Sequence, residues 1–263
     1  MKKIFWVLPL VAVTLASCTK ENDNIGQQII GKWMLAQMDG NIVPTNAKVV
    51  YTFDSDTTGY VSASRVDYNT DLPRWTNHAP SNVSVNGNRV TLGGTLNKTT
   101  SFVAEIEVKS ISNTETKAKS SYTVYHNGEP LYASSGNTLW IKVQKDYSDD
   151  ILGRWEGRVT NAEGSEFDDD NLHRWEYFSD GSYIYYNLDA DSNWTPQASE
   201  FSEYFVDGTL LCTRWKNSGE GEEEHREWWE IASIENGVMN WTALRQRDDG
   251  TTYTATFQMT RVQ

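Results

Sequence analysis

The side chains with the clearest potential for chemistry are a short run of oxygen donors in the second half of the chain. Asp189, Asp191 and Asn193 alternate and Glu200 follows at the twelfth position, which is the oxygen spacing of a calcium-binding loop. The sixth position is Trp194, however, where such a loop needs glycine for its sharp turn. A polar hairpin loop that ends in an aromatic residue is the simpler explanation. Calcium is therefore the lesser hypothesis, and we predict no metal ion and no other cofactor.

The residue types that usually carry catalysis are too scattered to predict an active site. Of the four histidines, His78 lies near Pro80 and His126 precedes Asn127-Gly128, which are both turn contexts. The sequence contains no His-x-x-x-His, Cys-x-x-Cys, Gly-x-Ser-x-Gly or phosphate-binding glycine-rich motif. A pair of carboxylates for glycoside hydrolysis stays open, because only their separation in the folded chain would reveal it. We predict that the protein is not an enzyme.

An internal repeat determines where the candidate residues lie in the fold. Ile29-Ile30-Gly31-Lys32-Trp33 recurs as Ile151-Leu152-Gly153-Arg154-Trp155, and Lys142-Val143-Gln144 recurs as Arg261-Val262-Gln263. Two further short matches lie between them in the same order, and all four recur at offsets of 119 to 123 residues. Constant order and spacing indicate a tandem duplication. The predicted domains are residues 29–145 and residues 146–263.

Each copy has the sequence pattern of consecutive antiparallel strands. Phe102, Ala104, Ile106 and Val108 alternate with mostly polar residues, as in a strand with one buried face. Asn-Gly and Asp-Gly pairs separate such runs and favour hairpin turns, because both residues tolerate positive φ. About eight strands fit into each copy. Consecutive hairpins that close on themselves form an up-and-down barrel, which leaves no exposed sheet edge.

The repeated motifs resemble those of the lipocalin superfamily, in which a Gly-x-Trp begins the first strand of an eight-stranded meander and a basic residue lies in the last strand. The motif occurs here twice, at Gly31-Lys32-Trp33 and at Gly153-Arg154-Trp155. The resemblance implies an all-β fold of two tandem, eight-stranded, up-and-down lipocalin-like barrels. It also implies that the basic residue stacks on the tryptophan as a cation–π contact. The implied barrel-closing pairs are Trp33 with Lys142 and Trp155 with Arg261. The resemblance concerns fold, and it does not imply transport of a retinoid or lipid.

Comparison of the two copies separates core aromatic residues from those available to a ligand. Residues 29–145 contain three tryptophans, whereas residues 146–263 contain seven. At an offset of 123 residues, Trp229 aligns with an isoleucine on the apolar face and Trp228 with a glutamate on the polar face. Trp228 is therefore predicted to contact a ligand, another protein or the facing domain.

The second barrel is also predicted to be more aromatic inside than the first. Trp215 stands where the first copy has glycine, and Tyr183 and Tyr185 stand where it has valine and alanine. These rings either fill the barrel or line a pocket. The candidate ligand-binding residues are Tyr183, Tyr185, Trp194, Trp215 and Trp228.

The N-terminus has the organisation of a signal peptide over residues 1–17, with two lysines before an apolar stretch. Leu15-Ala16-Ser17-Cys18 resembles the bacterial lipobox, and the tandem arrangement behind it resembles the lipocalin-like lipoproteins of Bacteroidota. The resemblance implies that Cys18 carries several acyl chains, which together give durable membrane attachment. Cys212 would then be the one remaining cysteine, so the mature chain has no intramolecular disulfide.

A polar tether is predicted to follow the lipid at residues 18–28. Its start, Thr19-Lys20-Glu21, partly resembles the signal that sends such lipoproteins to the outer face of the outer membrane. The predicted location is therefore the cell outer membrane, with a lipid anchor and exposure at the surface.

The charge is distributed as unevenly as the tryptophans. Residues 146–263 carry 25 acidic and 9 basic residues, whereas residues 29–145 carry 9 acidic and 11 basic ones. A surface this negative is a poor partner for nucleic acid. A tryptophan-rich cleft with an acidic rim suits carbohydrate, and it would also suit a cationic or peptide ligand.

These features predict an outer-membrane-anchored binding protein that captures a glycan, a peptide or a small apolar ligand, mainly through the second barrel. The alternative is a non-catalytic accessory subunit of an outer-membrane protein complex. In that case Trp228 and the acidic loops would contact another protein, and the barrels would be filled.

Overall fold

The chain folds into two tandem β-barrel lobes, each built on one antiparallel nine-stranded sheet. This computed structural model describes residues 25–63, 75–162, 171–247 and 249–262. The predicted signal peptide, Cys18 and most of the predicted tether lie outside the described residues. In the part of the chain that is described, no helix is long and apolar enough to cross a membrane.

The first lobe is a closed barrel. The strand β1 (Gly31–Met38) pairs with β3 (Val49–Phe53) on one side and with the last strand, β9 (Glu129–Lys142), on the other, so that eight strands form the wall. The two-residue β2 (Asn41–Ile42) pairs with β1 alone. A short 3₁₀ turn at Thr45–Ala47 lies between β2 and β3. The elements are α1 (Ile25–Gln28), β1 (Gly31–Met38), β2 (Asn41–Ile42), β3 (Val49–Phe53), β4 (Thr58–Ala63), β5 (Thr76–Asn86), β6 (Arg89–Thr95), β7 (Thr100–Ile111), β8 (Glu115–His126) and β9 (Glu129–Lys142).

The second lobe repeats this topology with a looser closure. Its first strand, β10 (Gly153–Ala162), pairs with its last, β18 (Thr252–Val262), and the two ends of the sheet meet at an isolated bridge between Ser182 and Glu203. The predicted fold class is thus confirmed, with one short extra strand in each lobe. The strands are β10 (Gly153–Ala162), β11 (His173–Tyr177), β12 (Tyr183–Leu188), β13 (Trp194–Pro196), β14 (Ser199–Asp207), β15 (Leu210–Asn217), β16 (Glu224–Glu235), β17 (Val238–Gln246) and β18 (Thr252–Val262).

One end of each barrel is closed by the repeated motif. Trp155 is fully buried, and its indole N–H donates to the carbonyl of Ile151 at 2.6 Å. The guanidinium of Arg261 lies 4.3 Å from the centre of the Trp155 ring and donates to two carbonyls of the preceding turn. Gly153 has a φ of 104°, and a side chain there would meet the guanidinium of Arg261. The motif therefore needs glycine for its backbone conformation and for the approach of the cation.

The same closure is present in the first barrel. Trp33 donates to the carbonyl of Ile29 at 2.6 Å, and the ammonium of Lys142 lies 5.1 Å from the centre of its ring. Ile25 and Ile29 are buried in the core of this barrel. Ile25, which lies within the range predicted for the tether, therefore packs into the barrel end through the α1 turn.

A third apolar cluster joins the two barrels. This interface cluster consists of Met34, Val50, Phe205, Leu210, Cys212 and Trp228, with Trp75 and Val143 packed against it. Its members come from both lobes, so the barrels share a buried contact.

Ion pairs and a turn surround the interface cluster. The ammonium of Lys32 lies 2.6 Å from a carboxylate oxygen of the buried Asp207 and 2.5 Å from one of Asp146. Lys48 forms a further ion pair with Glu230 of the second lobe. The hydroxyl of Thr45 accepts a hydrogen bond at 2.9 Å from the backbone N–H of Leu244, so the 3₁₀ turn of the first lobe docks on a strand of the second.

Candidate ligand-binding cavity of the second barrel

The interior of the second barrel is filled at one end and hollow at the other. At the closed end, Trp155, Tyr177 and Met259 are at most 1% exposed. Beyond them lies a cavity of about 280 Å³. Its wall is formed by Val159, His173, Trp175, Tyr183, Tyr185, Gln197, Ser199, Ser202, Thr213, Trp215, Asn217, Glu227, Trp229, Trp241 and Phe257.

One side of this cavity is aromatic, and we call it the aromatic wall. Strands β11, β12, β17 and β18 supply Trp175, Tyr185, Trp241 and Phe257. The centre of the Trp175 ring lies 5.3 to 5.5 Å from those of the other three, with interplanar angles of 54° to 81°. Such tilted and edge-to-face contacts hold each ring in one orientation. The wall therefore presents a preformed apolar surface.

Another part of the lining carries hydroxyl and amide groups around Trp215, and we call these groups the polar wall. Strands β14 and β15 supply Ser199, Ser202, Thr213 and Asn217, and Gln197 immediately precedes β14. The amide of Gln197 donates to Asn217 at 2.6 Å, and Ser202 donates to Ser199 at 2.9 Å. Each amide and hydroxyl has more donors and acceptors than these bonds use. The polar wall is therefore held in place and can still bind a ligand.

Glu227, on β16, is the one carboxylate among the described residues that line this cavity. It accepts a hydrogen bond at 3.3 Å from the indole of Trp229. Burial, and then the charge of Glu227, raises the pKa of the Tyr183 phenol well above its usual range, so this hydroxyl keeps its proton. The two carboxylates that glycoside hydrolysis requires are thus absent from the described cavity wall.

The indole N–H of Trp241 is a buried polar group within the core of the second barrel. Trp241 is 3% exposed, and its N–H has no hydrogen-bond partner among the described residues. A buried donor left unpaired costs about 1–3 kcal/mol.

The open end of the cavity has an acidic rim. The cavity residues lie toward the strand ends opposite Trp155, where three described loops connect the strands. The described residues of these loops include six acidic residues and one basic residue, Arg247. The acidic ones are Asp189, Asp191, Glu220, Glu222, Glu223 and Asp249. A fourth connection, which contains Asp168-Asp169-Asp170, lies outside the described residues.

The structure brings together three of the five candidate ligand-binding residues. Tyr183, Tyr185 and Trp215 all line the cavity, and Trp215 stacks on His225 with 5.3 Å between ring centres. Trp194 lies outside the cavity wall, because its ring packs 4.2 Å from the guanidinium of Arg174.

Trp228 also lies outside the cavity. It is 8% exposed and belongs to the interface cluster, so its partner is the facing domain. This was one of the three partners that the sequence allows for an outward-pointing tryptophan.

Sequence reasoning missed much of the cavity wall. The sequence pattern assigns no role to Trp175 or Trp241 and places Trp229 only in the core, yet all three line the cavity. A usable signal existed in β11, where His173, Trp175 and Tyr177 alternate on one face of the strand.

The proposed calcium ligands have other partners. One carboxylate oxygen of Asp189 accepts hydrogen bonds from the backbone N–H groups of Asp191 and Asn193, at 2.9 and 2.7 Å. These bonds lower the pKa of Asp189. Glu200 pairs with Lys216 at 2.5 Å. Within the described ranges, no three His, Cys, Asp or Glu side chains lie close enough together to hold a metal ion. The contacts are those of a hairpin loop.

The first barrel also contains a cavity, of about 360 Å³. Its wall is largely aliphatic, with Leu35, Val49 and Val61 among its members, and a hydroxyl pair, Ser120 and Thr138, bonded at 2.7 Å. This chemistry suits a small apolar ligand. The two barrels thus diverged in the lining of their interiors as well as in charge.

Comparisons with known proteins give no family for this chain. No family model and no curated protein matches it. Among solved structures, it is similar to a double mutant of the vaccine antigen Transferrin Binding Protein B from Haemophilus parasuis, with 10% identity, a TM-score of 0.24, and coverage of 84% of this chain and 55% of that one. A single mutant of the same antigen matches with 8% identity, a TM-score of 0.24, and coverage of 82% and 61%. The chain thus spans less than two thirds of these structures, and superpositions this weak do not establish a common function.

Proposed function

We propose that the protein is a lipid-anchored binding protein of the outer membrane that captures a glycan in the second barrel. The observation that carries this proposal is that one cavity is lined by both the aromatic wall and the polar wall. A sugar ring has an apolar C–H face and an edge of hydroxyl groups. It can therefore stack on one wall while it hydrogen-bonds to the other.

The polar wall favours a glycan over a purely apolar ligand. An apolar molecule in this cavity would displace water from Gln197, Asn217 and Glu227. It would not replace the hydrogen bonds that these side chains made to the water. An unreplaced hydrogen bond costs about 1–3 kcal/mol for each buried group. A peptide stays an outcome of the binding test, since its amide groups could also use the polar wall.

Replacing Trp215 with alanine is expected to weaken glycan binding at least tenfold. Trp215 lines the cavity, and truncation of an aromatic residue in a desolvated binding site typically costs on the order of 2 kcal/mol. The measurement is a titration by calorimetry with neutral mono- and oligosaccharides that a glycan panel selects. Trp194→Ala is the matched control, because this tryptophan lies outside the cavity and its loss should leave affinity unchanged. Equal affinities of wild type and Trp215→Ala for every glycan bound would refute the site.

Membrane attachment is proposed to depend on Cys18. The support is the match of Leu15-Ala16-Ser17-Cys18 to the lipobox at all four positions. Cys18→Ala protein is expected to leave the membrane fraction entirely, because several acyl chains supply the anchoring free energy. Fractionation and labelling with a fatty-acid analogue measure this. A Cys18→Ala protein that still fractionates with membranes would show that the anchor is something else.

The accessory-subunit alternative has lost two of its supports. Trp228, which was to contact another protein, packs against the first barrel. Both barrels contain cavities, whereas this alternative expects them to be filled.

A further inference from the structure

We infer that the second barrel binds the end of a glycan chain and does not bind units in its middle. This inference rests on the proposed function, and it names the part of the glycan that the same cavity accepts. It follows from the closure of the described part of the barrel at three places: the end at Trp155, the seam between β12 and β14, and the gap between β16 and β17. A site that binds internal units needs a groove along which the chain enters and leaves.

The end of the barrel opposite the opening is closed by packed side chains. Trp155 is 0% exposed there, and Met239 and Met259 are 0% exposed as well. Outside them, Arg261 covers the Trp155 ring and donates to the carbonyls of Leu152 and Asp150 at 2.6 and 2.7 Å. A glycan chain cannot leave through this layer.

The side of the barrel is closed where the two ends of the sheet meet. The bridge between Ser182 and Glu203 joins β12 to β14. Two further backbone hydrogen bonds of 2.8 Å cross the same seam, from Gln197 to Tyr185 and from Tyr204 to Gly181. These bonds close the seam beside the cavity.

The first barrel closes a further gap in the described wall. Strands β16 and β17 pair only as far as Glu230 and Thr242, so beyond this point they separate. The 3₁₀ turn of the first barrel docks there, because Thr45 accepts from the N–H of Leu244 and Lys48 pairs with Glu230. The turn contacts both strands. The wall of the second barrel is therefore completed by the first.

The volume of the cavity agrees with capture of a chain end. At about 280 Å³, it is just below the roughly 300–1,000 Å³ typical of pockets for drug-sized ligands. Such a space holds a terminal sugar and little more, and the rest of the chain must leave past the acidic rim. An anionic chain would be repelled there. The glycan selected by this shape and charge is a terminal, uncharged sugar.

The experiment compares glycans of equal mass that differ in the number of chain ends. Neutral linear glucans, mannans, xylans and galactans are offered to the wild-type protein before and after limited endo-hydrolysis, together with their mono- and disaccharides. Linear maltoheptaose is compared with its cyclic counterpart, which has no ends. Polygalacturonate serves as the anionic chain, and Trp215→Ala as the variant that reports on the cavity.

Binding is expected to rise in proportion to chain ends after hydrolysis, and to be at least tenfold weaker for a cyclic glycan than for its linear form. Polymers that bind equally before and after hydrolysis would overturn the chain-end inference and leave glycan binding intact. If no polymer, oligosaccharide or monosaccharide binds, the proposed function fails, and the inference fails with it.

Discussion

Replacing Trp155 with alanine is expected to lower the free energy of unfolding of the second barrel by about 3–5 kcal/mol. The side chain is completely buried, so its removal leaves a large cavity in a packed layer. The variant also loses the hydrogen bond to Ile151 and the cation–π contact with Arg261. Urea unfolding followed by far-ultraviolet circular dichroism measures the change.

Two variants control for the general effect of removing an indole. Trp33→Ala removes the equivalent ring from the first barrel and should cost a similar amount, because both tryptophans make the same contacts. Trp194→Ala, whose ring is half-exposed and packs on Arg174, should cost less than about 1 kcal/mol. A loss below about 1 kcal/mol for Trp155→Ala would show that the motif does not support the barrel.

Replacing Lys32 with methionine is expected to destabilise the contact between the barrels by about 3 kcal/mol or more. Asp207 is 0% exposed, and its second carboxylate oxygen has no hydrogen-bond partner among the described residues. The ring of His78 lies 3.8 Å from that oxygen, but it carries a charge only when protonated. Without Lys32, the buried carboxylate would lose its cation, and breaking a buried ion pair typically costs about 3–5 kcal/mol.

Urea unfolding of Lys32→Met against wild type tests this effect. Lys117→Met is the control, because Lys117 and Glu115 form an exposed pair that should be worth less than about 1 kcal/mol. The double variant Lys32→Met with Asp207→Leu should recover much of the loss, since neither charge remains buried. A Lys32→Met variant as stable as the wild type would show that another group neutralises the charge of the Asp207 carboxylate.

The pH dependence of the contact between the two barrels follows from the pKa shifts of Lys32 and Asp146. Burial alone would lower the pKa of Lys32, but its hydrogen bonds to Asp146 and Asp207 outweigh burial and raise it above 10.5. Burial alone would raise the pKa of Asp146, but the hydrogen bonds from Lys32 and Ser148 lower it below 3.8. The contribution of Lys32 to the free energy of unfolding is complete below pH 10.5, and it is lost as the pH rises through the raised pKa of Lys32. The contribution of Asp146 to the free energy of unfolding is complete above the ordinary pKa of an aspartate, and it is lost as the pH falls through the lowered pKa of Asp146.

The repeat and the local turns could be predicted from the sequence, because both depend on short-range preferences. Asn127 and Gly128 adopt the positive φ angles that their hairpin requires. The alternation of Phe102, Ala104, Ile106 and Val108 corresponds to four buried positions on β7. The Gly-x-Trp motif and the late basic residue meet in both barrels, because each copy repeats the same strand order.

The candidate site could be predicted only in part. Tyr183, Tyr185 and Trp215 were found because the first copy has smaller residues at those positions, so a difference in volume was visible in the sequence. Trp175 and Trp241 were missed, because an inward-facing tryptophan looks the same whether it fills a core or lines a cavity. A filled core and a cavity differ in how much space the other strands of the barrel leave in its interior.

By itself, the sequence determined the duplication, the all-β class, the positions of the hairpins and the motif that closes each barrel, because neighbouring residues impose backbone conformation and strand periodicity. The tertiary structure alone decided that Trp228 is buried against Met34 and Val50 of the other lobe. It also decided that Thr45 completes the wall of the second barrel and that the barrel is hollow above Trp155. These outcomes depend on contacts between strands far apart in the chain, and the stagger of the strands and the docking of the lobes set those contacts.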